Sequence, residues 1–363
     1  MIKSQFSNII NEKDFSFLVS NYDVTEGIDV FKYFPLKQQN GLQWKSGTNG
    51  REDNTAAGVI SRNSSLPQGE TPTTSILRGD IPKIGVKLPM KDDEITEYQT
   101  ALAMAGSDAA AAQIARETLD DHASKVIKMV NNRVIWIALQ SMSRGKVVFT
   151  QANNGSIVSD QDMDYNVQKH GRWGAAWTSA ASAKPITQDI ASAIKDGKAK
   201  GRKYTRIWMS ANTFSNFAAT EEVIKMSASF ATNFLGAAYT PSVDAVNNML
   251  RGRTDLNNVQ INIIDELMNV DGENKNPFID NVVLFSEGDT LGQSFWTVPA
   301  DMAVTSSTSM KALNRYICVK QWAEEDPLIE YTGGIANIIP AFEASQKALL
   351  LDTINDSWNE GAV

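Results

Sequence analysis

The chain has 363 residues, 42% of them apolar, and a formal net charge of −8. That length is comfortable for two compact cores at roughly 150 residues per domain, and an apolar share of this size excludes global disorder. The acidic balance argues against a dedicated nucleic-acid binder, which would carry a basic face, and the single cysteine, Cys318, leaves neither an intrachain disulfide nor a cysteine zinc site.

The N-terminus, Met1-Ile2-Lys3-Ser4-Gln5-Phe6, lacks the apolar run of a signal peptide. Nowhere does the chain approach the roughly 18 uninterrupted apolar residues of a membrane span. A soluble protein made in a reducing cytoplasm is expected. Residues 1–35 read as an arm with one helical turn or a short helix, containing Phe15-Ser16-Phe17-Leu18-Val19 and closing on Phe31, Tyr33, Phe34 and Pro35. Leu42-Gln43-Trp44-Lys45 alternates as a strand does. Ser46 to Asn54 is turn chemistry, because Gly and Asn tolerate positive φ. Val59-Ile60 begins another extended piece, and Pro67, Gly69 and Pro72 oppose a helix. Ser75 to Met90 reads as strand, at a sheet edge because Pro82 and Pro89 cannot donate to a ladder. Residues 41–90 thus form a long two-stranded excursion with a polar tip, and such a ribbon alone is marginal in water. It reads either as a surface loop or as a loop lying on a neighbouring subunit. An arm and a ribbon that cannot bury themselves must find a neighbour, so the first ninety-odd residues are expected to gain stability only by touching sister molecules.

Lys91-Asp92-Asp93-Glu94 opens a helix with acids at its positive end. Gly106 interrupts it, and Ser107-Asp108 offers a fresh cap. From Ala109 the residues are strong helix formers, and Leu119, Ala123, Val126, Val130, Val134 and Ile137 recur at steps of three or four. A helix from Ser107 to Arg144 would be about 55 Å long, a structural spine. Lys146 to Thr150 is a strand, Asn153-Asn154-Gly155 a hairpin turn, and Met163 to Val167 extended. Residues 185–300 alternate between helices (Pro185 to about Lys195, Ser210 to about Ala219, Ser242 to Leu250) and strands (Tyr204 to Met209, Val259 to Ile264, Val282 to Phe285), the pattern of an α/β module. Strands dominate from Ala303 to Val319, Leu328 to Tyr331 is another, and Ser345 to Ile354 is strand or short helix.

The chemistry candidates are weak. His122, beside Asp120 and Asp121, lies outside any HExxH frame, and His170 sits in a polar segment. Gly292-Gln293-Ser294-Phe295-Trp296 lacks the final Gly of a nucleophile elbow. Asp160, Asp162 and Asp164 form D-x-D-x-D, but Tyr165 and Gly171 occupy positions where a calcium loop needs Gly and an acid, so a solvated acidic turn is expected. Lys195, Lys198, Lys200, Arg202, Lys203 and Arg206 form a basic cluster at a helix C-terminal end, where cations are favoured. It reads as a solvated loop or as a patch facing phosphate or another subunit. No catalytic, cofactor or metal site is expected.

Asp164-Tyr165 through Trp177 to Pro185-Ile186-Thr187-Gln188-Asp189-Ile190 resembles the major capsid proteins of tailed bacteriophages, in particular the lambda-type capsid protein E family. So do Lys203-Tyr204-Thr205-Arg206-Ile207-Trp208-Met209-Ser210, Asn281-Val282-Val283-Leu284-Phe285 with Gly288 and Gly292, and the ending from Asp326-Pro327-Leu328-Ile329-Glu330 to Ile339-Pro340-Ala341-Phe342-Glu343. The likeness lies in the order of these segments over most of the chain. Residues 226–240 have no counterpart in it.

The resemblance implies an α+β, Hong Kong 97-like capsid fold. Its parts would be an N-terminal arm (1–40), an extended loop (41–78), a peripheral domain with the spine helix (79–178, helix about 107–144), an axial domain (179–302) and a return to the peripheral domain (303–363). It implies a structural protein that self-assembles as hexamers and pentamers into an icosahedral shell enclosing phage double-stranded DNA without sequence-specific binding. Scaffolding, portal and decoration proteins are the further partners of such a shell, the place of assembly is the host bacterial cytoplasm, and no membrane is involved. The loop residues Trp44, Arg51, Glu52 and Asp53 are the candidate intersubunit contacts, or else solvent-exposed turn residues. Two rivals stay open: an encapsulin-type cargo shell of the same fold, and a soluble α/β enzyme using carboxylates.

Overall fold

The computed structural model describes residues 4–23, 27–48, 75–150, 154, 162–230, 240–270, 272–304, 306 and 308–359. The elements before the module are α1 (Glu12–Asn21), β1 (Leu36–Gln38), β2 (Gln43–Thr48), β3 (Ser75–Asp80), β4 (Lys83–Met90), α2 (Asp92–Ala103), α3 (Asp108–Arg144), β5 (Lys146–Val147), β6 (Met163–Asp164) and β7 (Gln168–His170). The module contributes α4 (Ala191–Ala199), β8 (Arg206–Ser210), α5 (Ala211–Ala218), α6 (Glu221–Phe230), α7 (Val243–Arg251), β9 (Gln260–Ile264), β10 (Met268–Val270), β11 (Glu273–Lys275) and β12 (Val282–Ser286). The chain ends through β13 (Gln293–Thr297), β14 (Met310–Asn314), β15 (Ile317–Glu325), β16 (Leu328–Ala341) and β17 (Leu349–Asp352).

Two sheets organise these elements. The first runs β1-β13-β16-β15-β14, with β4 also on β16. The 14-residue β16 is its axis, pairing antiparallel with β15 from Leu328 to Ala336 (Trp322 opposite Tyr331, for example), with β4 from Glu330 to Asn337, and with β13 from Asn337 to Ala341. Among the described residues β4 pairs with β16 alone, so Pro89 sits in a strand with one bonded side, where proline is tolerated. The second sheet runs β7-β17-β12-β8-β9.

The second sheet is a wall between two cores, because successive side chains on a strand point to opposite faces. Val282 and Leu284 of β12, Trp208 of β8 and Leu350 of β17 face one core, which also takes the C-terminal half of α3. Val283 and Phe285, Ile207 and Met209, and Leu349 and Leu351 face the other, covered by α4, α5 and α7. The near-continuous apolar runs of these strands follow from burial on both faces.

The spine helix was legible almost to the residue. Ser107 caps α3 by accepting the Ala110 N–H, and Gly145, at φ 67°, ends it in the left-handed region. Its apolar face changes partner along its length. Ala115, Leu119, Ala123, Ile127, Val130 and Val134 pack with α1, α2 and the first sheet, whereas Ile135 to Leu139 and Met142 enter the core beside the second sheet.

The arm departs from expectation. Phe6, Phe15, Val19, Val30 and Phe34 are all buried in the chain's own cores, and each such burial is worth about 1.5–3 kcal/mol. Polar side chains from far along the chain close the arm's backbone. Glu330 Oε1 accepts the Gln5 N–H at 2.6 Å. Asn314, 2% exposed, donates to the Val19 and Tyr22 carbonyls at 2.7 and 2.8 Å, reinforcing the long Tyr22 N–H bond to the first and satisfying the second at the end of α1. Glu266 Oε2 accepts the Ile28 N–H at 3.0 Å. The expectation that the first ninety-odd residues find stability only on sister molecules is therefore wrong for residues 4–23, 27–38 and 83–90, whereas β2 and β3 between them keep one face open. The arm has aromatic anchors, and the side chains that close its backbone lie more than 200 positions away.

Other differences are smaller. The strand expected over 75–90 is two strands broken at Ile81-Pro82, whereas the helix expected from Pro185 does begin there, wound as a π-helix over Pro185–Ile190 before it continues as α4. The β10–β11 hairpin, α6 and β13 went unread. The turn at Asn153-Asn154-Gly155 falls largely outside the described residues, but its flanks pair as a hairpin requires, Lys146 with Asp164 and Val147 with Met163.

Candidate assembly surface

Strands β2 and β3 form a two-stranded antiparallel ribbon whose outermost described pair is Thr48 with Ser75. Its register sorts the side chains. Trp44 opposite Gly79 and Ser46 opposite Leu77 share the inner face; Gln43 opposite Asp80, Lys45 opposite Arg78 and Gly47 opposite Ile76 share the outer. Trp44 is buried, its ring stacked on Phe295 at 5.4 Å between centroids and 13° between planes. On the outer face Ile76 is 68% exposed, beside exposed Lys45 and Arg78. Of the four candidate contact residues, Trp44 thus faces its own chain. Arg51, Glu52 and Asp53 lie outside the described residues, as do most of the turn residues up to Asn54, Val59-Ile60 and Pro67 to Pro72.

The ribbon is flanked by two clefts. One, of about 500 Å³, lies between it and β6 and is lined by Leu77, Arg78, Asp80, Asp162, Asp164 and Tyr165. The other, of about 480 Å³, is lined by Ser46, Gly47, Leu291, Gln293, Glu343 and Lys347 among others. Asp162 and Asp164 are turn-forming acids here: Asp162 accepts the Phe149 N–H and Asp164 the Asn166 N–H. Asp160 lies outside the described residues. Among the described residues no group of three His, Cys, Asp or Glu side chains could hold a metal ion, and no helix is long and apolar enough to cross a membrane.

The basic cluster spends most of its charge within the subunit. Lys200 pairs with Asp196 at 2.7 Å, Arg206 with Asp289 at 2.7 Å, Arg202 donates to Gln168 Oε1 and Lys198 to the Asp255 carbonyl. Burial works to raise the Asp196 carboxyl, but the bonds from Lys200 and Gln168 win and hold it below the usual carboxylate range. Lys195 and Lys203 remain as exposed cations. His122 sits half-buried on α3, its pKa lowered by that burial. His170 stacks on Trp173 at 3.9 Å. Ser294, the serine of the failed elbow motif, donates its hydroxyl to the Phe34 carbonyl inside the core, and burial pushes the Cys318 thiol up to about 11. Among the described residues no hydrogen bond or ion pair joins His122, His170, Ser294 and Cys318 to one another.

Sequence reading missed the residues that hold the architecture. Asp189, fully buried, accepts from the Trp173 and Gly174 N–H groups and from Trp177 Nε1 at 2.7–2.9 Å, tying the Trp-rich loop to the start of α4. Glu222 of α6 accepts the Ile186 N–H at 2.7 Å. Glu330 is 2% exposed, and desolvation raises its pKa despite the bonds from Gln5 and Gln321. Acids such as Asp189 and Glu330, buried by contacts with distant segments, leave no local mark in sequence.

The profile of the family described as Phage major capsid protein E matches residues 50–346. Among solved structures the chain is similar to a protein described as a prophage capsid protein from E. coli CFT073, with 14% identity over 94% of this chain and 98% of that one and a TM-score of 0.56. It is also similar to a phage-related protein from Bordetella bronchiseptica RB50 (13% identity, 93% and 95% covered, TM-score 0.49) and to the capsid asymmetric unit of cyanophage A-1(L) (12%, 92% and 95%, 0.48). No curated protein matches the chain in sequence.

Proposed function

The chain belongs to the phage major capsid protein E family and is a structural protein of the capsid shell with a Hong Kong 97-like fold; from that premise we propose how the subunit does its work. Its copies cluster as hexamers and pentamers, assemble in the host bacterial cytoplasm, and enclose double-stranded DNA without reading its sequence. The net charge of −8 supports that last point, since close phosphate contact would call for a basic face. Scaffolding, portal and decoration proteins are its further partners. Its side chains make and break no bond, a reading supported by the match to a capsid-protein family.

The parts divide the labour as arm (1–40), extended loop (41–78), peripheral domain (79–178 and 303–363) and axial domain (179–302). In this division β7 and β17 come from the peripheral segments but complete the sheet that walls the axial core. Residues 41–78 lie on a neighbouring subunit, with Arg51, Glu52 and Asp53 at the contact and Trp44 at its root. The exposed outer face of the β2–β3 ribbon supports this: it buries little on its own chain, and exposed strand backbone is a ready partner for another chain.

The observation that carries the shell-forming role is the family match across residues 50–346 on a chain of this fold. The cargo-shell and carboxylate-enzyme alternatives are not favoured by it. Negative-stain electron microscopy of the purified chain, with sedimentation, tests the reading: closed shells of uniform size are expected, and a species that stays small at high concentration would overturn it.

A further inference from the structure

The ribbon formed by β2 and β3 sinks one ring into its own globule, with Leu77 packed partly against the same core and Gln39 Nε2 donating to the Gln43 carbonyl. Among its described residues Trp44 alone is fully buried; Ser46 and Leu77 are half-buried, and Gln43, Lys45, Gly47, Ile76, Arg78 and Asp80 are exposed. The ring lies flat on Phe295 of β13. Phe295 is 1% exposed and fixed on both sides, paired with Ile339 of β16 and with Lys37 of β1. The residue across from Trp44 is Gly79, and a Cβ there would stand 2.9 Å from Trp44 Nε1. The opposite strand therefore has to be bare for the indole to lie where it does. On either flank the clefts of about 500 and 480 Å³ part the ribbon from the β6 turn and from residues 290–293 and 343–347.

A two-stranded ribbon has too little buried surface to hold its own orientation. A flat aromatic ring stacked on a fixed partner supplies direction as well as area, because offset-stacked rings resist rotation in a way that an aliphatic contact does not. We infer that Trp44 is a positioning residue: stacked on Phe295 and admitted by Gly79, it sets the angle at which the ribbon stands on the subunit, and so where the loop it bears is delivered to a neighbour. This deepens the proposed role of residues 41–78 and rests on it for the second half of the statement.

The test compares Trp44→Phe, Trp44→Leu and Trp44→Ala in the full chain, with two readouts. Amide hydrogen exchange on the unassembled subunit reports the ribbon directly, and particle yield by sedimentation reports assembly. Trp44→Phe, which keeps a stacking ring, is expected to hold ribbon exchange and yield near wild type. Trp44→Leu, which fills space without stacking, is expected to speed exchange of the β2 and β3 amides by about ten-fold or more while α3 stays protected, and to lower yield in step. Trp44→Ala should do the same more strongly. Gly79→Ala offers an independent approach with the same expected outcome, since it displaces the ring without removing it. Equal behaviour of Trp44→Leu and Trp44→Phe would reduce Trp44 to a core filler and overturn the inference, as would wild-type ribbon exchange in Trp44→Ala. Failure of the wild-type chain to form shells would instead sink the proposed function, and the exchange comparison would still decide whether Trp44 orients the ribbon.

Discussion

The arm and the ribbon are adjacent in sequence, look alike in composition, and behave differently. The arm, from Ser4 to Phe34, buries Phe6, Phe15, Val19, Val30 and Phe34, and its backbone ends are taken up by Glu266, Asn314 and Glu330. The ribbon buries Trp44 and leaves its outer face open. The difference teaches which extended segments a shell subunit keeps for itself. A segment whose aromatics and backbone donors are met within the chain is part of the core; one that shows a single anchor and an exposed strand face is available to a neighbour.

The largest effect should come from the arm. Phe15→Ala removes a fully buried ring and is expected to destabilise the isolated subunit by about 3–5 kcal/mol, read by denaturant unfolding. An arm that mattered only between subunits would leave that number near zero. Asn314→Ala comes next: it strips the donor from the Tyr22 carbonyl and leaves the Val19 carbonyl with only the long bond from the Tyr22 N–H, and should cost about 1–3 kcal/mol.

Glu330→Gln sharpens the comparison through pH. Burial holds the Glu330 carboxyl above its ordinary value of 4.5 although the arm's Gln5 N–H pulls the other way, so the folded chain binds the proton more tightly than the unfolded one. Its contribution is full below 4.5 and is lost as pH rises through the raised value. The free energy of unfolding should therefore fall with rising pH through that range in the wild type, and Glu330→Gln should flatten that slope in denaturant titrations. An unchanged slope would place the titration elsewhere. The smallest effect belongs to surface pairs such as Lys225 with Glu221, four residues apart on α6. Lys225→Ala should change stability by no more than about 0.5 kcal/mol in the same unfolding experiment.

What could be read from sequence was local. The spine helix announces itself through the Ser107 cap, a run of alanines and an apolar face of fixed period, and it ends at Gly145 as expected. Ser210 and Ser242 mark the starts of α5 and α7 in the same way. Docking of the arm was hidden because Asn314 and Glu330 meet it from the other end of the chain. Strand β13 was examined as a failed nucleophile elbow; its identity as a strand comes from pairing with β16 and β1, which no five-residue window contains. Helix α6 was passed over although Glu221 and Glu222 sit in its first turn, a signal that capping rules could have caught. For the assembly surface, Trp44 stood out as a residue but its inward direction did not. That direction depends on the glycine opposite, 35 positions further on.

The central claim is that the segment between β2 and β3 serves assembly and not the stability of the subunit. Thr48 and Ser75 are cross-strand partners, so residues 49–74 can be replaced by a two-residue Asn-Gly turn that closes the ribbon as a hairpin. The account predicts that this chain unfolds at the same denaturant midpoint as the wild type and yields no closed shells by electron microscopy. Shells at wild-type yield from the shortened chain would contradict it.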